Sequence, residues 1–173
     1  MGNLSIEKKL NLGSGEFKKA GFINVDYYSV SEPDVRHDLN QFPYLFDDND
    51  FDLIEAYHVL EHLKNPFSVV KELHRIGKQN ALIIMRVPHF SRGFTHAEHK
   101  RGFDVSFPFS FDSNFKRGYQ GTSLELVELK LHWFAQPELK DTVLPKLIFY
   151  ISRVTETIFD FIANLSPYLC SRF

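Results

Sequence analysis

Between Lys9 and Pro88 the chain reads as short apolar runs cut by turn residues, the pattern of buried strands alternating with crossovers. Strands are predicted at Lys9–Leu12, ended by Gly13-Ser14-Gly15, then at Phe22–Asp26, Asp34–Asp38, Phe51–Tyr57 and Ala81–Val87, the last stopped by Pro88. The run Ala81-Leu82-Ile83-Ile84-Met85 shows no alternation, as expected of a strand buried on both faces. A helix is predicted over Pro66–Ile76, with proline at its first position, Phe67, Val70, Leu73 and His74 on one stripe, and Gly77 behind it. Strands alternating with crossovers imply an α/β fold around a mainly parallel, right-handed sheet.

After Pro88 the pattern changes. The stretch from His89 to Thr122 and Ser123 is rich in Phe, His, Arg and Gly without clear periodicity, and reads as a long functional loop with short helical pieces. Leu124–Trp133 alternates in the manner of a further strand with an irregularity near Val127. From Val143 to Leu165 apolar residues recur at helical spacing, which predicts an amphipathic helix able to pack on the sheet, form a dimer contact, act as a lid or lie on a membrane surface. The expected organisation is one domain over 1–173, made of a core at 1–88, a loop region at 89–123 and a C-terminal strand and helix at 124–173.

Composition narrows the classes. At 173 residues, 43% hydrophobic and 15% aromatic, the chain is long enough for one sizeable core. A net charge of -2 argues against a surface built for a nucleic-acid backbone. A lone cysteine, Cys170, forms no internal disulfide, and the N-terminal MGNLSIEKKL lacks a secretory h-region, so cytoplasmic residence is the expectation. The most apolar stretch, Val143–Leu165, is broken by Lys146, Arg153, Glu156 and Asp160, so no transmembrane segment is expected, although peripheral membrane contact stays open.

The strongest chemical signal is Leu10-Asn11-Leu12-Gly13-Ser14-Gly15, a strand running into a Gly-x-Gly turn, with Asp26 at the end of the next strand. Glycines let the chain turn sharply and let a ligand approach the backbone, while the N–H groups that follow face it. An aspartate at the second strand tip can accept hydrogen bonds from both ribose hydroxyls. A dinucleotide fingerprint would need glycine where Lys18 stands, and no Gly-Lys-Ser/Thr follows the loop, so NAD and Walker-type ATP sites are disfavoured. Asp38-Leu39 closes the third strand, where a carboxylate could take an adenine amino group and a leucine could cover the ring.

These runs, together with Asn24-Val25-Asp26, Asn49-Asp50-Phe51-Asp52-Leu53-Ile54 and His58-Val59-Leu60-Glu61-His62-Leu63, resemble the successive motifs of the class I S-adenosylmethionine-dependent methyltransferases, especially the type 11 group, over Lys8–Pro88. The resemblance implies a Rossmann-like three-layer sandwich and S-adenosylmethionine as cofactor. It also implies that Gly13, Ser14 and Gly15 border the methionine part, Asp26 and Tyr27 the ribose, Asp38 and Leu39 the adenine, and His58 the methionine side near the sulfonium. The sequence departs from the family where Glu16–Gly21 is too short for the usual first helix and where no clear final strand appears.

The expected activity is methyl transfer to an oxygen or nitrogen acceptor, whether small molecule, sugar or lipid-like. Deprotonating such an acceptor suits an imidazole. His89, just beyond the fifth strand, and His99, in Thr95-His96-Ala97-Glu98-His99-Lys100-Arg101, are the candidate base or acceptor-binding residues. Three alternatives stay open: a non-catalytic domain that binds cofactor or partner, a homodimer built on the last helix, and a zinc hydrolase. The last would use the His58/Glu61/His62 spacing, which on a single helix places two histidines on one face. His96, Glu98 and His99 could likewise hold a metal, but no metal site is assigned.

Overall fold

A computed structural model of the protein describes residues 8–93, 96–116, 118–131 and 157–158. The chain divides into two compact units, Met1–Phe103 and Asp104–Phe173. The first contains a sheet of five parallel strands: β1 (Lys9–Leu12), β2 (Ile23–Asp26), β3 (Val35–Arg36), β4 (Phe51–Tyr57) and β5 (Gly77–Arg86). Their order across the sheet is β3-β2-β1-β4-β5. The chain winds outward in one direction from β1 to β3 and in the other from β4 to β5. A crevice at the strand C-termini therefore opens where the order reverses, between β1 and β4, the position at which open α/β sheets bind ligands.

The predicted bounds hold for β1, which runs into Gly13, and for β4, which starts after Asn49-Asp50 and ends before the left-handed His58. Val35–Arg36 is shorter than the predicted third strand, although His37 N–H still donates to Asp26 O at 3.0 Å and prolongs the pairing by one residue. β5 starts earlier than expected, because Gly77 already pairs with Phe51 before a register shift brings Leu82 opposite Leu53. Asn80, at φ 67°, lies in that irregular stretch. As the outermost strand, β5 is also less covered than its unbroken apolar run implies: Leu82 is 44% exposed.

Helix α1 (Pro66–Ile76) forms the β4–β5 crossover with the predicted bounds. Asn65 caps it, its side-chain oxygen accepting from the N–H groups of Phe67 and Ser68, which satisfies donors that the first turn leaves unpaired. Its buried face consists of Val69, Val70, Leu73 and Ile76, a stripe turned from the expected one, so that His74 faces solvent. Each fully buried aliphatic side chain there contributes about 1.5–3 kcal/mol. Those residues and the inward side chains of β1 and β4, namely Leu10, Leu12, Ile54 and Ala56, make the core. The β1–β2 connection contains no helix, in keeping with the brevity of Glu16–Gly21.

A short helix α2 (Phe90–Gly93) follows β5, and His89 then forms an isolated parallel bridge with Phe103. In the second unit a 3-10 turn at Phe107–Phe111 buries Phe111. The Asp104 carboxylate accepts from the Ser106 N–H, and Phe111 O accepts from Leu124 N–H at 2.8 Å. The strand expected at Leu124–Trp133 does not form over 124–131, and 132–133 lie outside the described residues. The alternation there is not matched by burial, since Leu126 is 38% and Val127 77% exposed. Of the predicted Val143–Leu165 helix only Thr157 and Ile158 are described, both helical. Among the described residues no helix is long and apolar enough to cross a membrane.

Candidate functional site

The C-terminal ends of β1 and β2 are locked together by one carboxylate. Asp26 Oδ2 accepts from the Gly15 N–H at 2.8 Å and its Oδ1 from the Tyr28 N–H at 2.9 Å. Ser14 N–H donates to Val25 O at 3.0 Å, so the loop stays paired with β2 until Gly15 peels away. Both glycines sit at positive φ, 67° for Gly13 and 46° for Gly15, where a side chain is strained. They differ in surroundings. A Cβ on Gly13 would collide with the Val59 side chain, whereas a Cβ on Gly15 would meet nothing within 4 Å.

Gly13 therefore serves close packing of the loop on the residues after β4, and Gly15 borders open space at the strand ends. Ser14 is buried and its Oγ has no hydrogen-bond partner among the described residues. A hydroxyl can donate and accept, and an ionised carboxylate accepts only, so the two together could meet a ligand's hydroxyl or amino groups. Each Asp26 oxygen holds one backbone N–H and keeps lone-pair capacity for a hydroxyl. Tyr27, next along, is 52% exposed.

Asp38 and Leu39 follow β3. Asp38 Oδ1 accepts from both the backbone and side-chain nitrogens of Asn40, at 2.9 and 3.0 Å. The backbone bond from Asn40 is the main cause that holds the Asp38 carboxyl below its ordinary range. Leu39 is buried, and its carbonyl accepts from Tyr44 Oη at 3.0 Å.

His58 stands at the end of β4 in a left-handed conformation, φ 53°, with its side chain 62% exposed. The next residues form a single 3-10 turn, Leu60–His62. His58 and His62 are therefore not four apart on one helix face, and the geometry of the H-x-x-E-H hydrolase reading is absent. What the turn does is bury Glu61 completely, with neither carboxylate oxygen hydrogen-bonded among the described residues. His58 Nδ1 lies 3.5 Å from Glu61 Oε1 and His99 Nε2 lies 3.9 Å from the same atom.

Two of the candidate residues, one from the end of β4 and one from the loop after β5, thus converge on a carboxylate. The loop is fastened to the turn by Lys100 N–H donating to Glu61 O at 2.9 Å and Arg101 Nη2 donating to Lys64 O at 2.7 Å. His89 is held differently, its Nδ1 2.9 Å from Ser91 Oγ. The sequence marked Glu61 as part of the family-like run His58–Leu63 and gave it a role of its own only through a helical spacing that does not form, and it had no signal for Val59 beneath Gly13. Both placements depend on the turn after β4.

Residues 13–85 match the family model described as a methyltransferase domain. Similar solved structures include an S-adenosylmethionine-dependent methyltransferase from Archaeoglobus fulgidus, at 18% identity over 57% of this chain and 55% of that one, with a TM-score of 0.48. A putative methyltransferase from Bacillus halodurans C-125 is 15% identical over 60% of each chain, TM-score 0.48. A putative methyltransferase complexed with the Trm112 activator of Haloferax volcanii is 14% identical over 62% of this chain and 61% of that one, TM-score 0.46. No curated protein matches the chain. The likeness spans 31% to 61% of the lengths of the similar solved structures. The glycine loop, the acidic tip of β2 and the β4 motif all fall within the stretch, residues 13–85, that is similar to the methyltransferase domain model.

Proposed function

We propose that the chain binds S-adenosylmethionine across the C-terminal ends of β1, β2 and β3 and transfers its methyl group to an oxygen or nitrogen acceptor. The observation that carries this reading is the Asp26 carboxylate held between the Gly15 and Tyr28 N–H groups beside the orphaned Ser14 hydroxyl. Gly13, Ser14 and Gly15 border the methionine part, Asp26 and Tyr27 hold the ribose, Asp38 and Leu39 lie at the adenine end, and His58 faces the sulfonium side.

The cofactor supplies an electrophilic methyl with a neutral thioether as leaving group. The chain aligns the acceptor atom with that methyl, and positioning accounts for most of the rate. An acceptor hydroxyl or amine loses a proton as its bond to carbon forms, and His99 or His89, on the segment after β5, receives it. The acceptor is a small molecule, sugar or lipid-like compound with an apolar part, in keeping with the aromatic loop, and the absence of any paired cysteine suits a cytoplasmic setting.

The test is calorimetric titration of the full chain with S-adenosylmethionine and with its demethylated product, beside Asp26→Ala, followed by an acceptor screen read as product formed. Saturable binding that the variant loses supports the site, and turnover separates an enzyme from a domain that only binds. A folded wild type that binds neither compound refutes the proposal.

A further inference from the structure

The loop after β5 and the turn after β4 bring together a group of side chains that cofactor binding does not use. Glu61, His62 and His99 each offer one ligand atom, and these atoms lie within 4.8 Å of one another. The rings of His62 and His99 are 4.9 Å apart centroid to centroid, and His96 stacks on His99 at 4.8 Å. At the centre is the Glu61 carboxylate, fully buried and accepting no hydrogen bond among the described residues. A buried carboxylate is normally satisfied by donors or by a cation, and the groups that face it here are imidazoles, His58 at 3.5 Å and His99 at 3.9 Å.

We propose that Glu61, His62 and His99 form a site for a divalent transition metal of the zinc class, at the acceptor side of the strand ends. Two imidazoles and one carboxylate are a ligand set that zinc takes when one coordination position is left open to solvent or substrate. The outer contacts agree. His62 Nδ1 lies 3.2 Å from the Glu98 carbonyl oxygen, which can only accept, so Nδ1 carries the proton and Nε2 keeps its lone pair for the metal. Backbone acceptors of this kind fix the tautomer of metal-binding histidines.

The Lys100 N–H to Glu61 O bond fixes the loop against the turn next to the ligands. Ligands at ~2.0–2.1 Å in a tetrahedron are ~3.3 Å from one another, so the observed spacing closes around an ion with side-chain rotation of about an ångström. His96, exposed and stacked on His99, is outside the ligand set. This reading differs from the zinc-hydrolase spacing, since His62 and His99 come from separate segments and His58 is not a ligand. It goes beyond the methyl-transfer proposal and does not depend on it; with the ion bound His99 is a ligand, and the proton of that reaction goes to His89.

The experiment titrates the metal-free full chain with Zn2+ alone by calorimetry, and maps histidine modification by diethyl pyrocarbonate with and without Zn2+. The expected result is saturable binding of one ion per chain and at least tenfold slower modification of His62 and His99, with His74 on α1 unchanged. Co2+ in place of Zn2+ should give the intense visible band of a four- or five-coordinate ion. His99→Ala and Glu61→Gln should each weaken Zn2+ binding at least a hundredfold, and His74→Ala should not. Because protection is read on the wild type, misfolding of a variant does not leave the question undecided. Absence of saturable binding, or protection of other histidines in place of His62 and His99, overturns the site. Titration of S-adenosylmethionine in the presence of a chelator reads the cofactor site separately.

Discussion

Gly13 and Gly15 share a positive φ but not an environment, and that difference can be measured as stability. At Gly13, alanine meets two penalties. The left-handed conformation at φ 67° costs an L-residue about 1–2 kcal/mol. The new methyl also overlaps the Val59 side chain, whose Cβ would be 2.7 Å away, and overpacking of that kind costs a further ~1–3 kcal/mol. Gly13→Ala should therefore destabilise the fold by about 2–5 kcal/mol.

Gly15→Ala meets only the conformational cost, about 1–2 kcal/mol, since nothing lies within 4 Å of its Cβ. Urea unfolding followed by far-ultraviolet circular dichroism gives both values, provided the slope of the transition is unchanged. The decisive comparison is a double-mutant cycle with Val59→Ala, which removes both γ-methyls, one of them the nearest clashing atom, and keeps the Cβ. Gly13→Ala should be less costly in the Val59→Ala background by at least about 0.5 kcal/mol, while Gly15→Ala should add independently. Equal losses for the two glycine variants, or additivity in the Gly13–Val59 cycle, would refute the packing argument.

The open face of Gly15 leads to the opposite ordering for ligand affinity. By calorimetry, Gly15→Ala should weaken S-adenosylmethionine binding at least tenfold in spite of its smaller stability cost. Asp26→Asn replaces an acceptor of two N–H groups with an amide that must turn a donor towards Gly15 or Tyr28; with charged hydrogen bonds at ~1.5–3 kcal/mol, cofactor affinity should fall roughly ten- to a hundredfold. Asn65→Ala removes the cap of α1 and should lower unfolding free energy by about 1 kcal/mol without altering cofactor affinity. The Asp34 carboxyl is held below its ordinary 3.8, chiefly by the backbone N–H of Asn24 and then by its side chain, and Asp38 is lowered by Asn40. A depressed folded-state value means the contribution is complete above the unfolded-state pKa and is lost as pH falls through the folded one. Asp34→Asn should therefore flatten the acid limb of a stability-against-pH profile below about pH 4 and leave neutral pH unaffected in shape; an unchanged acid limb would count against the Asn24 contact.

Some of this was legible in the residues. Short apolar runs mark Lys9–Leu12, stopped by Gly13, and Phe51–Tyr57, opened by Asn49-Asp50, as strands, and Asn65-Pro66 marks the start of α1, because breakers and caps act on the local backbone. The turn at Gly13-Ser14-Gly15 and the aspartate at the tip of the next strand were legible for the same local reason. The sequence pattern misled where long-range contact decides. The alternation at Leu124–Leu131 predicts a strand, yet alternation alone supplies no partner ladder.

His58-Val59-Leu60-Glu61-His62 reads as helical spacing until the left-handed His58 and the 3-10 turn break it. Only the tertiary structure placed Val59 under Gly13 and seated His99, thirty-eight residues after Glu61 in the chain, beside its carboxylate. Sequence determines the strands, the breakers and the chemistry each loop carries, since those are properties of neighbouring residues. Which loops meet is set by strand order and by how the segments after β4 and β5 pack, and that is a property of the whole unit.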